Sequence, residues 1–574
     1  MKSADFPSSE IGKATAGTCG YYTALALITL VSLWLRGAFP VTAFGGAGHD
    51  DLLFVRMAAS IGAGNWLGDY NNLTHAKGAA YSIFLISNYI TGLPIKFSEH
   101  LVYLLAAFYF ASIVGKLYAT RWATMVTFAV LAFIPTAWNP ETGARIVREG
   151  IYGSLSLLLL ALAVHCFALS RSVSVAEELR QKRRLLVLLG LVAGAYWLTR
   201  EEGIWLLPSL IILYTFWLWS RRMSLRPWRV TVLFSALPVI SALVAVGTIN
   251  SLNYWKYDVF RNNDFRSADF QSAYGALSRI KHDQWQRYVI FPKDARERAY
   301  RFSPAARELQ PYFEGSGGEF WRNAGCTQMG IAPCPEILSG WFMWALRDAV
   351  ADTGHYRTAV EARSFYLTLA AEINGACEQH PDECLPYRQT MIPPWRGHYL
   401  LDTARASWQV FATLVTLGGS PVGGGASWGP PEQLALFATI TNGPLAPTEA
   451  AIGGSRQTDP NMIFRRDDIR RNFAKVLAKA EGIFTTFGVP AAVVIWLSWL
   501  VIAVRRRRLD VGLVIASSLM AAVGARVLLL GFLDATSIPS NNALYLFPVV
   551  PMTLALVPTV LFGAIAFLRR NDNY

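Results

Sequence analysis

Val230-Thr-Val-Leu-Phe-Ser-Ala-Leu-Pro-Val-Ile-Ser-Ala-Leu-Val-Ala-Val-Gly-Thr-Ile249 carries no charged residue. Wound as a helix, a run of this length is about 30 Å long, the thickness of a bilayer's hydrocarbon core. It is preceded by Arg221, Arg222, Arg226 and Arg229. A basic cluster at one end of an apolar run marks the cytoplasmic side. This stretch therefore predicts a membrane-spanning helix with its amino end inside.

The pattern recurs along the chain. Apolar runs near 20–38, 101–117, 121–137, 150–170, 186–199, 204–220, 230–249, 483–504, 510–532 and 544–567 give ten expected spans. The composition agrees: 53% of residues are hydrophobic and 16% charged, against about 25% charged in soluble domains. A net charge of +13 would suit a nucleic-acid binder, but the cations cluster between apolar runs, as they do in cytoplasmic loops. Nucleic acid is not an expected partner. The first run follows Lys2 and Lys13 and leads into Arg36 and Pro40 without a small-residue cleavage site, so it reads as a retained span rather than a signal peptide.

Charge parity orients the spans. The loop Arg171 to Arg184, the loop after Arg221, the run Arg505 to Arg508, and Arg569 with Arg570 are expected inside, with both termini. Residues 39–78 and 95–100 then both lie outside, so the apolar stretch 79–94 cannot cross between them. Its roughly 16 residues, broken by Gly92 and Pro94, fit an interfacial helix. The reading is a polytopic α-helical protein of a bacterial-type inner (plasma) membrane. Residues 1–249 form an amino-terminal transmembrane module with a first outer loop at 39–100, and 483–574 supply the last spans.

Residues 250–482 form an insert long enough for a domain of its own, placed outside by parity. Ser339–Val350 and Ala359–Ile373 have helical spacing, and Gly315–Gly318 and Gly418–Pro431 read as loops. Cys326, Cys334, Cys377 and Cys384 all fall in this insert. Four cysteines allow three pairings; the short separations favour Cys326–Cys334 and Cys377–Cys384, as suits an oxidising compartment. A zinc site is the rival, with spacings too wide for paired C-x2-C knuckles.

The first outer loop holds the most chemistry: His49-Asp50-Asp51-Leu-Leu-Phe54-Val-Arg56, then Gly64-Asn65-Trp66, then Lys77-Gly78-Ala-Ala-Tyr81. Either aspartate could simply cap the helix that Leu52 opens. The second outer loop adds Glu141, Arg145, Arg148 and Glu149, and the third adds Arg200, Glu201 and Glu202. Each charge alone reads as a surface pair or topology anchor; three loops bringing cations and carboxylates to one face read as a site. Arg526 lies within a span, where a cation is costly and faces a cavity or partner. Tyr254-Trp255-Lys256-Tyr257 could stack a sugar or belong to an interfacial belt.

In order and chemistry, the first loop resembles the GT-C superfamily of integral-membrane glycosyltransferases, which use polyprenyl-phosphate-linked sugars. The resemblance covers the membrane part, most clearly residues 1–250, and rests on Asp50-Asp51-x-x-Phe54, Asn65-Trp66 and Lys77 to Tyr81. It implies a catalytic role for Asp50 with Asp51 second, a lipid-phosphate role for Lys77, and a juxtamembrane helix at 79–94. Two departures stand out: Gly78 and Ala79 replace prolines, and Asn541, Asn542 and Ala543 stand where relatives carry Arg before a final-span Tyr.

The expected chemistry is an inverting displacement. Asp50 would be the general base on an extracytoplasmic acceptor (glycan, lipid or protein). Lys77, Arg148, Arg200 and Arg526 would hold the donor phosphate, since guanidinium binds such oxygens in pairs. His49, Arg56, Tyr81, Glu149, Glu201 and Glu202 would support these groups or the acceptor. A divalent metal could sit on Asp50 and Asp51, because hard cations take oxygen ligands. Soluble nucleotide-sugar transferases are excluded, because no cytoplasmic domain is large enough to hold a nucleotide. Rival readings are a transporter, which would show internal repeats and midplane charges, and a non-catalytic envelope-assembly protein, for which Asp50 would be dispensable.

Overall fold

The computed structural model describes residues 8–169, 174–221, 228–283, 285–334, 336–419, 421–448 and 462–571, without side chains at 8–17, 462–466 and 570–571. Lys2, Arg171, Arg222 and Arg226, and the side chains of Lys13 and Arg570, lie outside the described residues.

Hydrocarbon offers the backbone no hydrogen-bond partner, so apolar runs must satisfy their amides internally as helices. Eight helices among the described residues are long and apolar enough to cross a membrane: Thr18–Arg36, Ile95–Tyr118, Glu149–Ala168, Gly203–Arg221, Trp228–Tyr257, Asp467–Arg505, Val511–Thr536 and Ala543–Arg569. The other two expected spans are helices of a different kind. The run 121–137 is a twelve-residue helix, Arg121–Ala132, continued by a 3-10 turn at Pro135–Trp138. The run 186–199 is the apolar end of Val175–Thr199, whose first turns are charged and capped by Ser174. That helix packs lengthwise on Trp228–Tyr257. Gly190 makes the approach possible, since any Cβ there would strike the Pro238 carbonyl. The architecture is that of a polytopic helical membrane protein.

Two short helices lie in the first outer loop, Asp51–Gly62 and Ala80–Thr91. The second lies in the apolar stretch 79–94 and, at twelve residues, is shorter than a spanning helix; Gly92 ends it in the left-handed region (φ 72°).

The insert begins later and ends earlier than 250–482. Trp228–Tyr257 runs past residue 250, and one continuous helix, Met462–Arg505, leads back in. The insert is helical, and among the described residues its only β pairing is isolated bridges. A hydrophobic core built from residues 265–384 unites Ala268–Arg279, Ser339–Asp352 and Ala359–Gln379, and takes in Ala76 of the first outer loop. Both disulfides are present, Cys326–Cys334 and Cys377–Cys384. The glycines at 315–318 do not form the expected loop, because the helix Ser316–Met329 starts there. Gly318 needs to be small, its Cβ position falling on the Phe313 carbonyl.

The rest of the insert returns to the membrane part. Tyr399–Val415 packs along Val511–Thr536, with Ser407 directly over Gly531. Pro431–Thr441 packs against both short outer-loop helices. Single parallel bridges join Val41 to Leu445 and Phe44 to Trp428.

Candidate active site

Asp50 precedes the first turn of Asp51–Gly62, yet its side chain makes no capping bond. The capping alternative therefore fails for Asp50. Its carboxylate is taken by Lys77, whose Nζ donates to Oδ1, while Arg145 Nη2 lies 3.5 Å from Oδ2. Lys77 reaches this position because Gly78 lets the loop lie against the Leu198 carbonyl, where a Cβ would collide. This is a physical reason for glycine where the resemblance leads one to expect proline. The Lys77 ammonium also stands 5.0 Å from the Phe54 ring and 5.7 Å from that of Trp344.

Asp51 is fully enclosed. Arg145 clasps it with two donors, Nη2 to Oδ2 at 2.6 Å and Nε to Oδ1 at 3.2 Å. The sequence places Arg145 among the loop charges without marking it for a role. Its position comes from local structure: Asn139 accepts from the amides of Glu141 and Thr142, closing the turn Pro140–Ala144. Thr42 then donates its amide to Ala144, docking the second outer loop on the first. Arg145 also lies over the Phe44 ring and pairs with Glu141 at 3.1 Å.

The two aspartates differ electrostatically. For Asp50, desolvation pushes the carboxyl up, but Lys77, Arg145 and Arg148 outweigh it and hold it below the usual range. For Asp51, burial dominates over Arg145, and the Asp50 charge adds to it, raising the group from 3.8 to about 6. Neighbouring carboxylates with opposed shifts are a mark of functional sites. Lys77 is lowered, chiefly by desolvation, against the pull of Asp50.

Behind this pair the second and third outer loops together supply three further ion pairs. Arg148 donates to Glu201 at 2.7 Å, and Glu201 also accepts from Asn263 of the insert at 2.9 Å. Arg200 binds both Glu149 and Glu202. Burial raises the Glu202 carboxyl, but Arg200, Arg526 and Arg148 bring it down to about 2. Arg200 lies 5.6 Å from the rings of Tyr152 and Tyr545. Arg526 is wholly buried and gives two N–H donors to the Tyr545 carbonyl, at 2.7 and 3.1 Å. Its Nη1 has no hydrogen-bond partner among the described residues.

Other expected residues stand differently. Tyr81 donates to Glu99 at 2.7 Å, and Glu99 in turn accepts from Lys96, so Tyr81 belongs to a buried network beside the site. Arg56 is not in the cluster. It occupies the exposed side of a helix whose residues 51–55, 57 and 58 are buried. His49 turns toward the insert, 3.4 Å from Asp348. Tyr254 and Trp255 are exposed at a span end, and Tyr257 donates to the Gly68 carbonyl. Tyr254 and Trp255 fit the interfacial belt, whereas Tyr257 is buried against the first outer loop.

The paired aspartates do not suit a divalent metal. Both Asp51 oxygens are bound by Arg145, Asp50 is held by Lys77, and no group of three His, Cys, Asp or Glu suited to a metal occurs among the described residues. A cation there would have one unpaired oxygen face to bind and two positive neighbours to repel it.

The chain matches no family model and no curated protein. It is similar to two solved structures of ArnT from Cupriavidus metallidurans, one in the apo state and one bound to undecaprenyl phosphate, each at a TM-score of 0.32 and 16% identity, spanning 93% and 94% of this chain and 78% of that protein.

Proposed function

We propose that this chain is a GT-C-type membrane glycosyltransferase, moving a sugar from a polyprenyl phosphate to an acceptor on the extracytoplasmic side. The observation that carries the reading is Asp50: a carboxylate 37% exposed, held ionised by Lys77 and Arg145, and backed by a buried bank of arginine–glutamate pairs.

An acceptor hydroxyl gives its proton to the free face of Asp50 while its oxygen attacks the anomeric carbon. The bond from that carbon to the phosphate oxygen breaks, and the lipid phosphate leaves with the electron pair. Charge bookkeeping favours Lys77 as the pivot. As Asp50 gains a proton it loses its hold on the ammonium, while the departing phosphate gains negative charge nearby. One cation thus serves both states, with Arg145 fixed between the two acids. Arg148, Arg200 and Arg526 shape the potential behind them and stand as further phosphate contacts. Such preorganised charge needs no rearrangement as the leaving group develops.

The test is transfer from a radiolabelled polyprenyl-phosphate hexose by the purified protein in nanodiscs. Asp50→Asn should lower turnover at least about 100-fold, the usual weight of a general base, with the thermal unfolding midpoint retained. Undiminished turnover in a folded Asp50→Asn protein would remove Asp50 as the base.

A further inference from the structure

The polar groups around Asp50 divide into two unlike walls. On the side of the second and third outer loops stand Arg145, Arg148 and Arg200, each largely buried. On the other side the insert helix Ser339–Asp352 presents three residues of one face. Arg347 ties down the first outer loop, donating to the Asn72 carbonyl at 2.6 Å and the Thr74 carbonyl at 2.9 Å. Trp344 lies between Lys77 and His49, 5.3 Å from the imidazole. Asp348 accepts from Asn72 Nδ2 at 2.6 Å and from Trp321 Nε1 at 3.0 Å, and faces His49.

His49 is thereby boxed by two indoles, Trp321 at 4.9 Å and Trp344, each nearly perpendicular to it. It remains 33% exposed, and the neighbouring Asp50 37%. Phe320, exposed, extends the aromatic rim beyond Trp321. Aromatic edges, an imidazole and a carboxylate suit a polyhydroxyl surface. The Asp348 charge is met by neutral donors and His49, and its field repels an anion. Arg347 of the same face is paired with buried Asp264 at 2.7 Å and Lys77 with Asp50, so phosphate is favoured on the arginine side and disfavoured here.

We infer that His49, Trp344 and Asp348 form the acceptor subsite, and that it takes an uncharged sugar of a glycan, presenting its hydroxyl to Asp50. This rests on the transferase reading and names its acceptor class. The insert then supplies one wall of the active site itself.

Saturation-transfer NMR on the full-length protein in nanodiscs tests it, with the methyl glycosides of glucose, galactose and N-acetylglucosamine as probes and glucose 6-phosphate as the anionic control. At least one neutral glycoside should bind in preference to the phosphate. His49→Ala should weaken it about fivefold, the weight of one neutral hydrogen bond, and Trp344→Phe should do less than Trp344→Ala. Asp348→Asn should admit the sugar phosphate. Binding of undecaprenyl phosphate is measured in parallel. If the lipid binds but all glycoside signals match between wild type and variants, or the phosphate is preferred by wild type, the subsite is overturned while the transferase reading stands. If the lipid itself is not bound, both fall.

Discussion

Arg145 holds both carboxylate oxygens of Asp51, a residue with no solvent exposure, across 94 positions of sequence. The planar fork of guanidinium matches a carboxylate in a way that an ammonium cannot. The pair fixes the second outer loop on the first and leaves Asp50 as the open acid. Arg145→Ala should therefore cost about 3–5 kcal/mol, the usual price of stranding one buried charge. Arg145→Lys should recover part of the stability but little turnover. Thermal unfolding and transfer assays on the same preparations would decide it; a stable, active Arg145→Ala protein would show that the clasp is dispensable.

Asp51 also predicts a pH signature. Its folded value, raised to about 6 from 3.8, means the native protein retains a proton that the unfolded chain has lost between those values. Stability from this group falls as pH rises from about 4 to 6 and is then level. Glu202, lowered to about 2, acts in the opposite sense: its contribution is present above the ordinary glutamate value and is lost on acidification. Unfolding midpoints measured from pH 4 to 7 should show a flatter profile in that window for Asp51→Asn than for wild type.

Gly531 lies beneath Ser407, so any Cβ would meet the Ser407 backbone and Oγ rather than a movable side-chain end. Gly531→Ala should push the helix Tyr399–Val415 from its seat on Val511–Thr536. Overpacking of this kind costs about 1–3 kcal/mol. A drop in the unfolding midpoint is expected, with greater protease sensitivity near residues 392–400. An unchanged midpoint would mean that the insert is not anchored there.

Orientation can be read by thiol labelling in sealed vesicles. Thr91 and Arg507 are both exposed. Thr91→Cys should react with an impermeant reagent from the outside only, and Arg507→Cys only after the inner face is opened. Reversed labelling would invert the charge-based topology.

Much of this was legible along the chain. Apolar length picked out ten runs, of which eight, among the described residues, are helices long and apolar enough to span. The stretch 79–94, expected from parity, length, Gly92 and Pro94 not to cross, holds only the twelve-residue helix Ala80–Thr91. The acidic first loop, Lys77 and the paired cations of the next two loops were visible as residue types, and the cysteine separations pointed to the right pairs. Arg56 misled because its place beside the acids in sequence hides a turn of helix that carries it to the exposed side. Asp348, Trp344 and Asn263 gave no local signal at all, each being an ordinary residue of a helical insert.

The sequence by itself determined that this chain is a polytopic helical membrane protein, because burial in hydrocarbon acts on contiguous segments. Only the tertiary structure decided which acid is open and which is clasped, and that the insert packs on the first loop. Those outcomes depend on contacts between residues far apart in the chain, such as Arg145 with Asp51 and Arg347 with Asn72, and packing between separate helices leaves no periodicity to read.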